Sequence, residues 1–158
     1  MIKPKPVKIQ DYQKIIDMLQ SISDFIPRGE DINDIWNSYL SQDNLNGFSF
    51  FLDNELVGYG SIFYEIKIRG GKAGHLEDVV VNQNARGNGI GQFIIDFLIN
   101  EGKKNNCYKV SLNSKENNIG FYEKCGFIQD GITFQRKFKH LIPFFFTPGS
   151  SDLLGQLN

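Results

Sequence analysis

"RGNGIG" (Arg86–Gly91) follows an apolar, strand-like run, Leu76 and then Val79–Val81. It opens a stretch in which Ile90, Phe93, Ile94, Phe97 and Leu98 recur at helical spacing. Glycines at a strand-to-helix junction make an anion cradle, because they let the backbone turn tightly and expose N–H groups. The new helix directs its partial positive end at whatever lies there. Arg86 adds a cation at the entrance. The loop lacks the Gly-Lys-Ser/Thr ending of a nucleoside-triphosphate loop and the third glycine of the dinucleotide fingerprint, so the pyrophosphate of another carrier fits better. A glycine-rich turn without a ligand is the plain alternative.

Outward from the loop the pattern predicts a mixed α/β fold. Asp11 begins an amphipathic helix with Ile15, Ile16, Leu19 and Ile22 on its apolar face, and a short helix around Ile35, Trp36, Tyr39 and Leu40 follows. Phe48–Leu52 and Leu56–Ile66 read as a hairpin, with Gly58 and Gly60 marking a bulge or a close backbone approach. A strand Leu76–Val81, a helix Gly89–Asn105, a strand Tyr108–Asn113, a helix Asn117–Lys124 and a strand Ile132–Phe138 complete the order.

The chain has 158 residues, 41% of them hydrophobic, enough for one domain with a core of its own. A net charge of −1 argues against a general nucleic-acid binder, which needs a basic stripe. Its apolar runs are too short to span a bilayer, and Met1–Gln10 lacks the apolar stretch of a signal peptide. A cytoplasmic location is therefore expected. Cys107 and Cys125 lie too far apart for a redox pair or a paired-ligand zinc site and read as packing residues. His75 and His140 have no partners at metal-ligand spacing, so no metal is expected.

Arg86, Gly89 and Gly91 match the pyrophosphate loop Arg/Gln-x-x-Gly-x-Gly/Ala of the GCN5-related N-acetyltransferases, which the chain resembles. "GHLEDVVV" (Gly74–Val81), "CYKVSLN" (Cys107–Asn113) and "NNIGFYEKCGF" (Asn117–Phe127) resemble segments of the eukaryotic glucosamine 6-phosphate N-acetyltransferases, in the same order. The likeness runs from about Glu65 to Phe138. It implies a domain over residues 1–139, with a central mixed sheet of splayed strands between helices, and a tail over 140–158 that matches nothing. It also implies acetyl-coenzyme A as cosubstrate, an aminosugar phosphate as acceptor, and a homodimer.

By the same resemblance the strand Leu76–Val81 splays from Tyr108–Asn113, and the acyl-carrying arm inserts between them. Backbone groups of Val79, Val80 and Val81 would bond its amides, although a buried strand alone explains these valines. Arg86, Gly87, Asn88, Gly89, Ile90 and Gly91 would hold the pyrophosphate, and Asn118, Phe121, Tyr122 and Lys124 would meet the cofactor from the next helix. Tyr122 is the expected proton donor to the departing thiolate, or else a core aromatic beside Phe121 and Phe127. Glu77 and Asp78, read as lying on opposite faces of one strand, form the expected acceptor site, with Glu77 the participant; a surface carboxylate pair is the alternative. Asn113 stands where the family usually carries a carboxylate and can orient a substrate but not accept a proton. Ser23, Lys67 and Lys137 match sugar-phosphate positions, Lys137 near a strand contributed across a dimer. Lys115 and Arg136 are further candidate cations. Acetylation of another small or polypeptide amine, or a non-catalytic acyl-coenzyme A module, are the other readings.

Overall fold

The apolar runs assemble into one sheet in the order β1-β2-β3-β4-β5. In the computed structural model, which describes residues 1–22, 31–134 and 136, the strands are β1 (Lys3–Pro6), β2 (Leu45–Leu52), β3 (Glu55–Ile66), β4 (Lys72–Val81) and β5 (Cys107–Leu112). The helices are α1 (Tyr12–Leu19), α2 (Ile32–Leu40), α3 (Ile90–Lys104) and α4 (Ile119–Lys124). Pairing is antiparallel from β1 through β4 and parallel between β4 and β5, with α3 as the crossover. The mixed α/β architecture is the one the sequence predicts.

α3 packs on β3, β4 and β5. Its Ile90, Ile94, Ile95 and Leu98 are buried with Phe50, Val57, Ile62 and Leu76. Burying a side chain of this size contributes about 1.5–3 kcal/mol. The approach of helix to sheet depends on strand glycines: a Cβ on Gly58 would lie 2.6 Å from Ile94 Cδ1, and one on Gly60 3.0 Å from Leu98 Cδ1. On a second cluster, Ile15 of α1 packs with Leu56, Tyr59 and Val80.

Several boundaries differ from expectation. β1 escapes the sequence reading because Pro4 and Pro6 cannot donate to a ladder; the strand forms at the sheet edge, where prolines are tolerated. α1 stops at Leu19, so Ile22 lies in the turn beyond it, 43% exposed, rather than on an apolar helix face. Of the expected strand Ile132–Phe138, the described residues 132–134 and 136 are outside any strand, and Ile132 and Phe134 are almost fully exposed. Strand preference is realised only in a ladder, and among the described residues none of these is in one; Thr133 bonds the Asn113 side chain instead. Residues 135 and 137–158, including His140 and the tail, lie outside the described residues.

The feature that positions the site is a bulge in β4. Tyr59 opposes Val80 while Ser61 opposes Glu77, so β4 spends one residue more than β3 over this interval. Asp78 adopts φ 53°, in the left-handed region that aspartate tolerates better than most residues. Pairing of β4 with β5 stops at Leu76 opposite Leu112, immediately before the bulge. A bulge bends its strand, and beyond Leu76 β4 is paired on its β3 side alone. It also breaks the alternation that would put Glu77 and Asp78 on opposite faces. Val80, packed with Tyr59 and α1, and Val79, packed with the α3 cluster, lie in the shifted phase.

Candidate active site

The loop Arg86–Gly91 is built to expose its backbone. Gly87 and Gly89 have φ of 82° and 73°, and a Cβ on either would meet no atom within 4 Å. Gly89 is the N-cap of α3 and supplies no side chain to it, so the first N–H groups of the helix have neither an intrahelical partner nor a side-chain cap. Asn88 donates its amide to the carbonyls of Ala85 and Arg86 at 3.2 and 3.3 Å and holds the turn. Arg86 donates through Nε to the Val81 carbonyl at 3.2 Å and through Nη2 to Ser21 Oγ at 3.1 Å. Its guanidinium thus braces the loop against β4 and the end of α1. Gly91 serves packing instead, since a Cβ there would stand 3.2 Å from Phe121 Cζ, and its bare backbone seats α4 over the start of α3. The Cys125 thiol donates to Gln92 Oε1 at 3.1 Å and fastens the other end of α4 to α3, a packing role as expected.

α4 carries Tyr122. The ring is half-buried between Phe121 and Phe127, with centroids 5.1 and 6.1 Å away. Burial, and then the nearby Cys125, push its phenol above the ordinary range, so it is protonated at neutral pH. Asn118 caps α4 without a side-chain bond, and Asn118, Phe121 and Lys124 are exposed. The backbone of Val79–Val81 runs past the last β4–β5 pair, while Val79 and Val81 pack on the core and Val80 is buried.

Beside the last β4–β5 pair, the sheet face turned away from α3 carries a group of polar side chains. Gly74 and Val110 approach Ile62 and α3's Gly102, so the alternate residues His75 and Glu77 on β4 and Ser111 on β5 face the other way. There Ser111 Oγ lies 3.1 Å from His75 Nδ1, and His75 Nε2 lies 2.9 Å from Glu65 Oε2. Lys67 Nζ donates to the same Glu65 oxygen. Lys67, expected at a sugar phosphate, is therefore engaged by Glu65. Hydrogen bonds from Lys67 and then His75 hold the Glu65 carboxyl below its ordinary range. Asn113 Oδ1 accepts from Thr133 Oγ1 at 3.0 Å. Lys115 and Arg136 are exposed. Ser23 and Lys137 lie outside the described residues.

Both carboxyls at the bulge are raised. Burial is the main cause at Glu77, followed by the charge of Asp78, with His75 opposing. Burial alone raises Asp78. The field of Asp78 also reaches Tyr39 and Tyr59, whose phenols are pushed up chiefly by burial and whose hydroxyls are 3.0 Å apart. Tyr39 stacks on Trp36 at 5.7 Å, and a Cβ on Gly47 would overlap the Tyr39 hydroxyl. The sequence pattern assigns Trp36 and Tyr39 only to a helix. Their i, i+3 spacing is the one signal there of a shared aromatic face.

A cavity of about 550 Å³ lies between α1, the start of β3 and the end of β4, lined among others by Lys14, Ser21, Leu56 and Asn82. It includes none of Glu77, Asn113 or Tyr122 and is set apart from them. Among the described residues no group of three His, Cys, Asp or Glu side chains is placed to hold a metal ion, and no helix is long and apolar enough to cross a membrane.

Residues 13–127 match the family model "Acetyltransferase (GNAT) family". The chain is 36% identical over 134 residues to glucosamine 6-phosphate N-acetyltransferase 1 of Dictyostelium discoideum, covering 81% of this chain and 85% of that protein. It is 32% identical over 108 residues to the Candida albicans glucosamine 6-phosphate N-acetyltransferase, covering 65% of this chain and 72% of that one. The crystal structure of glucosamine-6-phosphate N-acetyltransferase from Arabidopsis thaliana superposes with a TM-score of 0.76 at 30% identity, over 87% of this chain and 99% of the other.

Proposed function

The chain belongs to the acetyltransferase (GNAT) family and is an acetyl-transferring enzyme; from that premise we propose that it transfers acetyl from acetyl-coenzyme A to the amine of glucosamine 6-phosphate. The products are N-acetylglucosamine 6-phosphate and coenzyme A. The observation that carries the substrate assignment is the 36% identity to the Dictyostelium enzyme, which extends over 81% of this chain.

The residues present fit the cofactor. The open cradle at Gly87 and Gly89 and the uncapped start of α3 suit a pyrophosphate. The one-sided edge of β4 at Val79–Val81 offers backbone groups to amides. When bound, acetyl-coenzyme A supplies an activated acyl group as a thioester. The chain itself must then hold a neutral amine against that group, offer N–H groups where negative charge develops, and return a proton to the thiolate. Tyr122 keeps its proton at neutral pH and supplies it in the last of these steps. Glu77 attracts the substrate ammonium, with Asp78 beside it and the amide of Asn113 orienting a hydroxyl. Ser23, Lys67 and Lys137 are the cations and hydroxyl for the phosphate in this reading, and Lys67 reaches it by exchanging Glu65 for phosphate oxygens. Residues 1–139 form the catalytic domain. The enzyme works as a homodimer, and a β5 edge with no further strand among the described residues, together with exposed Ile132 and Phe134, supports that assembly. A cytoplasmic setting belongs to the same reading, supported by the free thiols of Cys107 and Cys125.

A thiol-release assay tests this with acetyl-coenzyme A and a panel of glucosamine 6-phosphate, glucosamine, an aminoglycoside and a lysine peptide. The expected result is the highest kcat/KM for glucosamine 6-phosphate. Preference for another amine, with coenzyme A binding retained, would overturn the substrate assignment and leave the family intact.

A further inference from the structure

We propose that Ser111, His75 and Glu65 form a proton-accepting relay for the acceptor amine, with Ser111 as the residue that touches it. The proposal rests on the reading of the chain as an amine acetyltransferase and adds a base to it.

The three residues stand on three adjacent strands, Glu65 on β3, His75 on β4 and Ser111 on β5. Their hydrogen bonds fix the proton positions. Glu65 is ionised, held low by its two partners, and can only accept, so His75 Nε2 carries the N–H at 2.9 Å. In a neutral ring Nδ1 is then the lone-pair nitrogen, and Ser111 donates its hydroxyl to it at 3.1 Å. That leaves the Ser111 oxygen with lone pairs of its own. Its strand position is decisive: Ser111 opposes His75 one residue before the last β4–β5 pair, at the mouth of the splay, and shares its sheet face with Glu77.

Acetylation of an ammonium takes two protons from the nitrogen, one of which makes good the proton that Tyr122 gives the thiolate and the other of which is released, so each turnover must discharge one proton to solvent. In the relay, an N–H proton passes to Ser111 Oγ as the serine's own proton passes to His75 Nδ1. The nitrogen keeps its electron pair for the carbonyl, and the ring becomes imidazolium against the Glu65 carboxylate. After product leaves, the proton returns through Ser111 to water. Among the described residues, the charged groups on the elements around the ring are Glu65 and Lys67 from the β3 side, Glu77 with Asp78 from β4, and Lys109 on β5, two residues before the neutral Ser111 on the same face. Lys67 shares the Glu65 oxygen with the ring's N–H. Glu77 thus attracts the ammonium, and the relay takes its proton.

The test compares wild type with Ser111→Ala, Ser111→Thr and His75→Gln. It reads kcat and kcat/KM for glucosamine 6-phosphate against pH, with melting temperature and acetyl-coenzyme A affinity alongside. A positioned base contributes about 10²- to 10⁴-fold, so Ser111→Ala and His75→Gln are expected to lose about 100-fold or more in kcat with cofactor affinity kept. Ser111→Thr retains the hydroxyl and is expected to recover at least about ten-fold of the loss. Wild-type kcat and pH profile in Ser111→Ala would overturn the relay alone. Equal losses in the alanine and threonine variants would also overturn it, since the hydroxyl would not be the active feature. A wild-type chain that acetylates no amine would overturn the enzymatic reading together with the relay.

Discussion

Tyr122 holds a packing position and, in the proposed reaction, a chemical one, and one atom separates them. Tyr122→Phe keeps the ring between Phe121 and Phe127 and removes the proton. Steady-state kinetics should show kcat falling by about 10²-fold, with acetyl-coenzyme A affinity and melting temperature near wild type. A melting temperature that falls while kcat holds would mark a packing residue only. Asp78 gives a test with a definite sign. Its carboxyl is raised in the fold by burial, so between its ordinary value and the raised one the folded state holds a proton that the unfolded state has released. Stability therefore falls as pH rises through that window, and the cost persists above it. Asp78→Asn, which tolerates the same left-handed backbone, should melt higher than wild type at neutral pH. The difference should vanish under acid, where both states are protonated; a constant difference across pH would contradict the account. The roles proposed for Glu77 and Tyr122 come from local motifs, which a sequence displays. The Glu65–His75–Ser111 chain is not, because it depends on the register of three strands, and no single stretch of sequence displays register.

Among the elements, the glycine loop Arg86–Gly91 and α3 are legible almost to the residue, since their signals are local: glycines at a junction and an apolar period of 3.6. The β4 bulge is not, because "HLEDVVV" contains no glycine to announce it and looks like an unbroken strand. Yet the bulge separates β4 from β5 and brings Glu77 and Asp78 together. β1 is hidden by its own prolines, and the C-terminal strand rests on an alternation that forms no ladder among the described residues. The loop glycines divide their roles, and substitution should separate them. At Gly89 an aspartate adds a strained side chain and a negative charge in open space, so Gly89→Asp should weaken acetyl-coenzyme A binding by at least about ten-fold, about 1.4 kcal/mol, with little loss of folding. Gly91→Asp collides with Phe121 and should displace α4, lowering kcat through Tyr122 as well as affinity. Calorimetry finding wild-type affinity in folded Gly89→Asp would remove the cradle from the account.

At the scale of the whole molecule, the sheet ends on a β5 edge with no strand beyond it among the described residues, and exposed apolar residues follow α4. A homodimer that shares its sites across this edge makes a prediction for Lys137. Mixing Lys137→Ala subunits with Tyr122→Phe subunits should place both lesions in one site of the heterodimer and none in the other. Part of the activity should return with normal KM for the sugar phosphate. Failure to recover, with subunit exchange confirmed by mass, would mean a site built within one chain. The central claim, that this splayed sheet joins an acetyl group to the nitrogen of an aminosugar phosphate, is tested most directly by following isotope-labelled acetyl from acetyl-coenzyme A into glucosamine 6-phosphate by NMR. The account predicts a labelled acetamide on the sugar nitrogen, formed one for one with free thiol. Thiol release with free labelled acetate, or with label on a sugar oxygen, would contradict it.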